Sequence, residues 1–426
     1  MQDYTQEIME MGIRAKEAAR SLRTLSSDEK KNLLSEIYDQ LLLAKEDILA
    51  ANTIDVADAR SSGIKEALVE RLTLNETRFE EMMSGLSQII RLKDPVGEID
   101  SMWINDAGLT IGAKRVPLGV IAMIYESRPN VTVDATALCL KTGNAVILKG
   151  GSDALLTNKA ILVAIDKAIT LCKLPIGTVQ LVKTTDREFT KQLLCAKQYI
   201  DCVIPRGGAG LIHFVSDHSK IPMIETGTGN CHIYVDFDYN EDDALKIIDN
   251  AKIQRPGACN AVETVLIHKK IAHTMVPKLI DYLTEKGVSL ALCEQAYGIA
   301  SSKNILNKQC SVATVVDWET EYLDYKLAVK IVSDIDEAIG HIEQFSTGHS
   351  EAILTNHYDH AQYFLNHVDS STVYVNASTR FTDGGQFGFG AEIGISTQKL
   401  HARGPMGLKA LTTIKYIVYG TGQIRN

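Results

Sequence analysis

The chain has 426 residues and a formal net charge of −9 at pH 7, and this length favours two domains over one small core. The acidic balance and the lack of a basic tail give no electrostatic reason to expect a nucleic acid or a membrane surface as a partner. The eight cysteines form no Cys-x-x-Cys pair, no secretory signal stands at the amino terminus and no apolar run has membrane-spanning length, so we expect free thiols in a reducing cytoplasm.

Residues 1–100 have the periodicity of amphipathic helices. Ser26 and Glu29 have the spacing of a helix-starting capping box. Apolar residues recur at helical spacing in three stretches, 33–48, 66–72 and 77–92. Asp94 and Pro95 then end the helical pattern. This part of the chain carries no chemistry that we can identify.

Residues 101–118 predict a β-hairpin. Strand-like runs over 102–104 and 109–116 are separated by the turn sequence at 105–108, which ends in glycine. A hairpin that projects between helices and a sheet often serves as an assembly arm, but simple edge strands are an equal alternative.

Residues 119–237 alternate between strand and helix patterns, which is typical of a parallel sheet covered by helices. The predicted strands are 120–125, 145–149, 179–182, 201–204, 223–225 and 232–235. The predicted helices between them are 131–141, 154–171, 188–196 and 211–217. Ligands bind such sheets at the carboxyl ends of the strands.

Two glycine-rich turns stand at predicted strand ends, although no Gly-x-Gly-x-x-Gly fingerprint occurs between 119 and 236. The first turn is Lys149-Gly150-Gly151-Ser152, and the second is Arg206-Gly207-Gly208. An ammonium, a guanidinium, a hydroxyl and bare backbone N–H groups all suit phosphate. Glycine-rich turns are also common without ligands, so phosphate binding and a purely structural role are equal alternatives for the two turns.

Residues 238–395 predict a second α/β domain. Helical patterns run over 242–252 and 271–286, and strand patterns run over 262–267, 353–355 and 373–375. Pro256 and Gly257 force a turn just before Cys259, so its thiol lies on a loop between regular elements. Such a thiol is a candidate nucleophile, although most cysteines are small core residues.

The segment 396–426 predicts a return to the first domain. Residues 411–419 are β-branched and aromatic, and we expect this terminal strand to pair with the hairpin at 102–116. The histidines do not favour a metal site, because His213 and His218 lie five residues apart rather than one helical turn apart and no thiol or carboxylate joins them.

The order of Asn130, Lys149, Glu225 and Cys259 along the chain resembles the aldehyde dehydrogenase superfamily. More specific sequence motifs resemble its γ-glutamyl phosphate reductase family, and the resemblance covers nearly the whole chain. These motifs surround Cys259 and stand at 125–135, 141–144, 225–236, 376–392 and 399–408.

The resemblance implies an aldehyde dehydrogenase-like α/β fold with two parallel-sheet domains and a small β oligomerisation arm. Residues 1–100 would supply helices of the cofactor domain, 101–118 the arm, and 119–237 the NADPH-binding domain. Residues 238–395 would form the catalytic domain with Cys259, and 396–426 would return to the cofactor domain and the arm.

The activity implied is the NADPH-dependent reduction of L-glutamate 5-phosphate to L-glutamate 5-semialdehyde and phosphate, the second step of proline biosynthesis from glutamate. Cys259 would attack the acyl phosphate and carry the thioester, with Asn130 holding the oxyanion. Glu225 would deprotonate the thiol, position the cofactor or serve the fold. The resemblance further implies a homo-oligomer and makes a transient complex with glutamate 5-kinase plausible.

The resemblance also assigns binding residues. The cofactor would contact Lys149, Ser152, Arg206, Gly207 and Gly208, and the neutral Ser152, three residues beyond the lysine, favours NADPH over NADH. Four arginines lie in family-like motifs, and each is as readily part of a salt bridge within the fold: Arg128, Arg255, Arg380 and Arg403. Of these, we expect Arg380 at the α-carboxylate and Arg255 at the phosphate.

Two alternatives remain open on the sequence. The first is an acyl-CoA-linked aldehyde dehydrogenase on the same fold, which would use CoA in place of phosphate. The second is a catalytically silent member that serves as a binding or structural protein. The presence of Asn130, Lys149, Glu225 and Cys259 together argues against the silent alternative.

Overall fold

The computed structural model describes residues 2–425, and helices form first along the chain, as the periodicity predicts. The capping box is present: the Glu29 N–H donates to Ser26 Oγ at 3.2 Å, and the Ser26 N–H donates to Glu29 Oε2 at 2.8 Å. The helices of this segment are α1 (Thr5–Leu22), α2 (Ser27–Leu43), α3 (Lys45–Ser61), α4 (Glu66–Leu72) and α5 (Glu76–Arg91).

The predicted hairpin follows these helices. It consists of β1 (Ile99–Ile104) and β2 (Thr110–Pro117), which pair antiparallel across the turn that contains Gly108. Gly108 has a φ of 77°, a left-handed conformation that glycine adopts without strain. All six residues of β1 are exposed.

A four-stranded parallel sheet follows, in the order β5-β4-β3-β6. Every residue of β3 and β4 is buried, as expected for strands covered on both faces. Its strands are β3 (Val120–Tyr125), β4 (Ala145–Lys149), β5 (Val179–Leu181) and β6 (Cys202–Arg206). Its helices are α6 (Asn130–Lys141), α7 (Leu155–Leu171), α8 (Arg187–Leu193) and α9 (Ala209–His218).

The predicted strand at 223–225 is wrong. Only an isolated bridge joins Met223 to Val203 of β6. Pairing with β6 stops there because the next residues bond elsewhere. The hydroxyl of Thr226 donates to the Pro205 carbonyl at 2.7 Å, and the Gly227 N–H donates to the Ile395 carbonyl at 2.9 Å. Glu225 therefore lies on irregular backbone and not at the end of a strand.

A seven-stranded parallel sheet forms next, in the order β10-β9-β11-β8-β7-β12-β13. Its strands are β7 (Cys231–Val235), β8 (Val262–His268), β9 (Ser289–Leu292), β10 (Cys310–Val312), β11 (Lys326–Val332), β12 (Ser350–Leu354) and β13 (Thr372–Val375). Its helices are α10 (Glu241–Ile253), α11 (Ala272–Glu285), α12 (Glu294–Ser302), α13 (Val315–Glu319), α14 (Ile335–Phe345) and α15 (Tyr358–His367). All seven residues of β8 are buried at the centre of this sheet.

The chain ends in three strands, β14 (Ile395–Ser396), β15 (Gly404–Pro405) and β16 (Thr412–Tyr419). β14 pairs with β15. β16 pairs antiparallel with β2, which confirms the expected pairing of the terminal strand with the hairpin. None of the helices in the described residues combines the length and apolarity that crossing a membrane requires.

The chain divides into two units. The first contains the residues up to Thr226, Gly388–Gly394 and the segment from Met406 onward, and the second contains Gly227–Phe387 and Ile395–Pro405. This division differs from the predicted boundary between 237 and 238, because β7 pairs with β8 and β12 of the seven-stranded sheet. The expected return to the first unit at residue 396 is also different, because the chain enters that unit at Gly388–Gly394, leaves it for β14 and β15, and re-enters it at Met406.

Candidate active site

In the first unit, Lys149 is the last residue of β4 and its side chain lies against its own turn. Its Nζ donates to the Gly150 carbonyl at 3.0 Å, and burial lowers the pKa of the ammonium. The two glycines differ in the space around them: a Cβ at Gly150 would lie 2.5 Å from Asn158 Nδ2, which is too close, whereas one at Gly151 would make an ordinary contact at 3.5 Å from the Ser127 nitrogen. The turn is therefore closely packed against the segment after β3.

Ser152 follows this turn and shares a carboxylate with a second serine. Its Oγ donates to Asp153 Oδ1 at 3.0 Å, and Ser127 Oγ donates to Asp153 Oδ2 at 2.9 Å. Asp153 therefore joins the turn after β4 to the turn after β3. The sequence analysis missed Asp153, and its position directly after Ser152 was the signal available.

The second glycine-rich turn also meets the segment after β3. The Gly208 N–H donates to Glu126 Oε2 at 3.0 Å, one residue before α9 begins. A Cβ at Gly207 would lie 2.7 Å from Glu126 Cδ, so the Glu126 side chain would have to shift to admit one. The start of α9 thus already binds an anionic oxygen, which is the kind of ligand predicted for it.

Asn130 opens α6 and contacts its own helix one turn on. Its Nδ2 donates to Asp134 Oδ2 at 3.0 Å. Burial raises the pKa of Asp134 to about 6, and the Asn130 hydrogen bond and the charge of Arg206 oppose that rise. Asn130, Asp134 and Arg206 therefore form one group. Glu225, also in this unit, accepts from Ser216 Oγ at 3.5 Å.

In the second unit, Cys259 lies on the loop between α10 and β8 and is half-buried. Its carbonyl oxygen accepts a hydrogen bond from Cys231 Sγ at 3.2 Å. A Cβ at Gly229 would lie only 1.4 Å from that oxygen, so the backbone at Gly229 packs directly on the loop. None of the eight cysteines forms a disulfide.

Two guanidinium groups lie close to Cys259. Arg380 Nε donates to Gln254 Oε1 at 3.0 Å, and another nitrogen of Arg380 donates to Asn260 Oδ1. Burial lowers the pKa of Arg380, the positive charge of Arg255 lowers it further, and the negative charge of Cys259 opposes this. Arg255 and Cys259, which both lie between α10 and β8, are therefore within electrostatic range of Arg380.

Asn260 links the Cys259 loop to the segment that carries Arg380. Its Nδ2 donates to the Thr382 carbonyl at 2.9 Å, and Thr379 Oγ1 donates to its carbonyl at 2.7 Å. Asn260 is buried, and the sequence analysis missed its role. The described residues contain no group of three or more His, Cys, Asp or Glu side chains arranged to hold a metal ion.

Known proteins resemble the chain over its whole length. The model of the aldehyde dehydrogenase family matches residues 2–297. The chain is 51% identical to γ-glutamyl phosphate reductase of Clostridium tetani, with 100% of each chain covered. It is 53% identical to the enzyme of that name from Moorella thermoacetica, over 98% of this chain and 99% of the relative.

A solved structure agrees with these relatives. The crystal structure of γ-glutamyl phosphate reductase from Thermotoga maritima matches with a TM-score of 0.95 and 48% identity, over 99% of this chain and 100% of that chain. The similarity to γ-glutamyl phosphate reductases therefore extends beyond the family-like motifs and the Cys259 loop to the full length of the chain. The chain therefore belongs to the aldehyde dehydrogenase family, among its γ-glutamyl phosphate reductases, and is an oxidoreductase that acts on an aldehyde.

Proposed function

We propose that the enzyme reduces L-glutamate 5-phosphate to L-glutamate 5-semialdehyde and phosphate with NADPH, through a thioester on Cys259. The observation that carries the proposal is the loop that presents Cys259 beside Arg255 and Arg380. A thiol nucleophile with two guanidinium groups nearby suits a substrate that has a reactive acyl carbon and two anionic groups.

The two arginines differ in how they are held. Arg380 is half-buried and oriented by Gln254 and Asn260, so we assign it to the α-carboxylate, which needs a fixed bidentate partner. Arg255 is exposed on the nucleophile loop itself, so we assign it to the phosphate that leaves the acyl carbon. The proximity of two positive charges is unfavourable until an anion binds between them.

The chemistry needs one covalent intermediate on the protein. The Cys259 thiolate attacks the acyl carbon, a C–S bond forms, the C–O bond to phosphate breaks and phosphate leaves with the electron pair. The oxyanion of this step would be held by the Cys259 backbone N–H, and we propose Asn130 as a further donor, since an amide has two N–H groups and only one is used on Asp134. After reduction, release of the thiolate gives the semialdehyde.

Glu225 has a narrower role in this scheme than in aldehyde-oxidising relatives. Reduction of an acyl phosphate requires no water to hydrolyse the thioester. Its hydrogen bond with Ser216 of α9 supports a positioning role within the first unit. We propose that Glu225 helps to orient the cofactor.

NADPH, when bound, supplies the hydride. Lys149 and Ser152 would hold it, since the turn between them offers an ammonium, a hydroxyl and glycine backbone, and the neutral Ser152 tolerates a 2′-phosphate. In the turn of Arg206, Gly207 and Gly208, the Gly208 N–H would contact a phosphate only after Glu126 releases it.

The proposal is tested in the reverse direction with the purified protein and glutamate 5-semialdehyde. We expect reduction of NADP⁺ to require inorganic phosphate, and kcat/KM to be greater with NADP⁺ than with NAD⁺. A requirement for CoA in place of phosphate would identify an acyl-CoA-linked dehydrogenase. No turnover with either acceptor would identify a silent member of the family.

Arg380→Met is expected to separate substrate binding from chemistry. Loss of a charged hydrogen-bonding partner costs about 2 kcal/mol or more, so KM for both glutamyl substrates should rise about 30-fold or more. Arg403→Met is the matched control, because Arg403 already pairs with Asp369 at 2.8 Å, and it should leave KM near the wild-type value. Equal KM values for the Arg380 variant and wild type would remove Arg380 from the substrate site.

We also propose a homo-oligomer that assembles through the sheet of β1, β2 and β16. Met102, Trp103, Ile104 and Tyr416 are all exposed there, and such apolar groups favour association.

A transient complex with glutamate 5-kinase would limit loss of the labile acyl phosphate. The absence of disulfides among the eight cysteines fits the cytoplasm that we propose as its location. The molar mass in solution, alone and with the kinase, tests both associations.

A further inference from the structure

A buried ion pair lies at the base of the nucleophile loop. Lys252 is in the last turn of α10 and Glu263 is the second residue of β8, so the loop that carries Cys259 runs between them. Lys252 Nζ lies 2.5 Å from Glu263 Oε2, and both side chains are 0% exposed. The pair therefore joins the two ends of the loop directly.

The same pair supports a second segment that packs on the loop. Glu263 Oε1 accepts from the Leu323 N–H at 3.2 Å, and Lys252 Nζ lies 5.9 Å from the centre of the Tyr322 ring. Leu323 has a φ of 55°, a left-handed conformation that is uncommon for a leucine, and its carbonyl oxygen lies 3.8 Å from the position of a Cβ on Gly257. The backbone of Leu323 thus packs next to the turn before Cys259.

The segment also reaches the loop from a second direction. Glu321 Oε1 accepts from the Gly229 N–H at 2.7 Å, and Gly229 packs on the Cys259 carbonyl. The ion pair, the segment 321–323 and Gly229 therefore surround the backbone of the nucleophile loop. Within the loop, the Ala258 N–H donates to the Arg255 carbonyl at 3.1 Å.

Stability alone does not explain charges in this position. Two buried charges lose their hydration, and replacing such a pair by apolar residues of similar volume is often neutral or stabilising. Burial raises the pKa of Glu263 to about 7 and lowers that of Lys252, while the attraction between them opposes both changes. What the pair adds is a fixed geometry. An ion pair with hydrogen bonds fixes the distance between the two ends of the loop, whereas apolar contacts would allow the ends to shift.

We propose that Lys252 and Glu263 are positioning residues that fix the Cys259 loop for attack on the acyl carbon. This inference rests on the proposed role of Cys259 as the nucleophile. A displacement of about 1 Å at a reacting group can cost about 100-fold in rate, so even a small shift of the loop would matter.

The experiment compares Lys252→Met/Glu263→Leu with Lys30→Met/Asp94→Leu. The second variant removes another buried pair, at 2.8 Å with 1% and 3% side-chain exposure, between α2 and the segment after α5 in the first unit. We expect the first variant to fold, with kcat reduced about 100-fold and KM within about threefold of wild type. Amide hydrogen exchange in the peptide 254–261 should be at least about tenfold faster, since this exchange reports local opening.

The matched variant should show neither change, whatever its melting temperature. Should the double replacement fail to fold, Glu263→Gln keeps the shape of the side chain but has one accepting oxygen for the two donors, Lys252 Nζ and the Leu323 N–H, and it should show smaller changes of the same kind. Wild-type kcat and wild-type exchange in Lys252→Met/Glu263→Leu, or in Glu263→Gln where it replaces that variant, would overturn the inference. An equal loss of kcat in Lys30→Met/Asp94→Leu would overturn it as well. Lack of wild-type turnover would refute the proposed function instead, and the exchange measurement would still test whether the pair fixes the loop.

Discussion

Cys259→Ala is expected to abolish reduction of the acyl phosphate, with kcat lowered by about 10⁴-fold or more. The reason is that the covalent route depends on one atom, and removal of a catalytic nucleophile has effects of this size in other covalent enzymes. Reductase rates under saturating substrate measure the loss. Mass spectrometry of the protein after incubation with the acyl phosphate, without cofactor, should show a glutamyl adduct on Cys259 in wild type and none in the variant.

Cys195→Ala is the control for this experiment. Cys195 is an exposed cysteine of the first unit, so its removal tests whether loss of any accessible thiol affects the enzyme. We expect wild-type kcat and an unchanged adduct for this variant. Activity that survives in Cys259→Ala would refute the thioester mechanism, whatever the result for Cys195.

Gly229→Ala is the second replacement for which we expect a large effect. Its Cβ would lie 1.4 Å from the Cys259 carbonyl oxygen, and the atoms that it meets are backbone, which cannot rotate away. The nucleophile loop or the chain at Gly229 must therefore move. Overpacking typically costs 1–3 kcal/mol and occasionally more, so we expect a destabilisation of about 3 kcal/mol and a kcat reduced about 100-fold.

Gly298→Ala provides a matched glycine control in the same unit. Gly298 lies inside α12, and a Cβ there meets nothing within 4 Å. Alanine is the better helix former, so this variant should be more stable by about 0.5–1 kcal/mol with unchanged kcat. Thermal unfolding and steady-state kinetics of the two variants measure both effects. A Gly229 variant with wild-type melting temperature and kcat would show that the loop has room which the structure does not indicate.

The sequence was sufficient for the fold class and the family, and both are confirmed. Periodicity found a helical segment before residue 92, although the predicted stretch 33–48 runs across the boundary between α2 and α3. β-branched runs found most strands, because burial on one or both faces sets these local patterns. The strand at 223–225 failed for a physical reason. Whether residues 223–225 form a strand beside β6 depends on the hydrogen bonds that the following residues make with the carbonyls of Pro205 and Ile395. Both of these residues lie far away in the sequence.

The candidate site shows the same limit. The sequence motifs identified Cys259, Lys149 and Ser152 as candidates because each lies within a few residues of a predicted strand, and such short spacings can be read from the sequence. The contact of Glu126 with Gly208, at the start of α9, joins residues 82 positions apart in the sequence. Only the order of the strands in the sheet brings these two residues together. The pair of Lys252 and Glu263 is 11 residues apart, yet neither helix nor strand periodicity predicts a bond across the loop. The assignments of Asn130, Glu225 and the arginines stay predictions.

The pairing of β16 with β2 has a consequence for how the chain is made. These strands share eight residue pairs, but their sequences lie roughly 300 residues apart. At translation rates of about 5–20 residues per second, β2 would be synthesised about 15–60 s before its second neighbour. During that time one edge of the hairpin has no partner strand and is open to mispairing. The three-stranded sheet of β1, β2 and β16 can therefore form only after β16 has been synthesised.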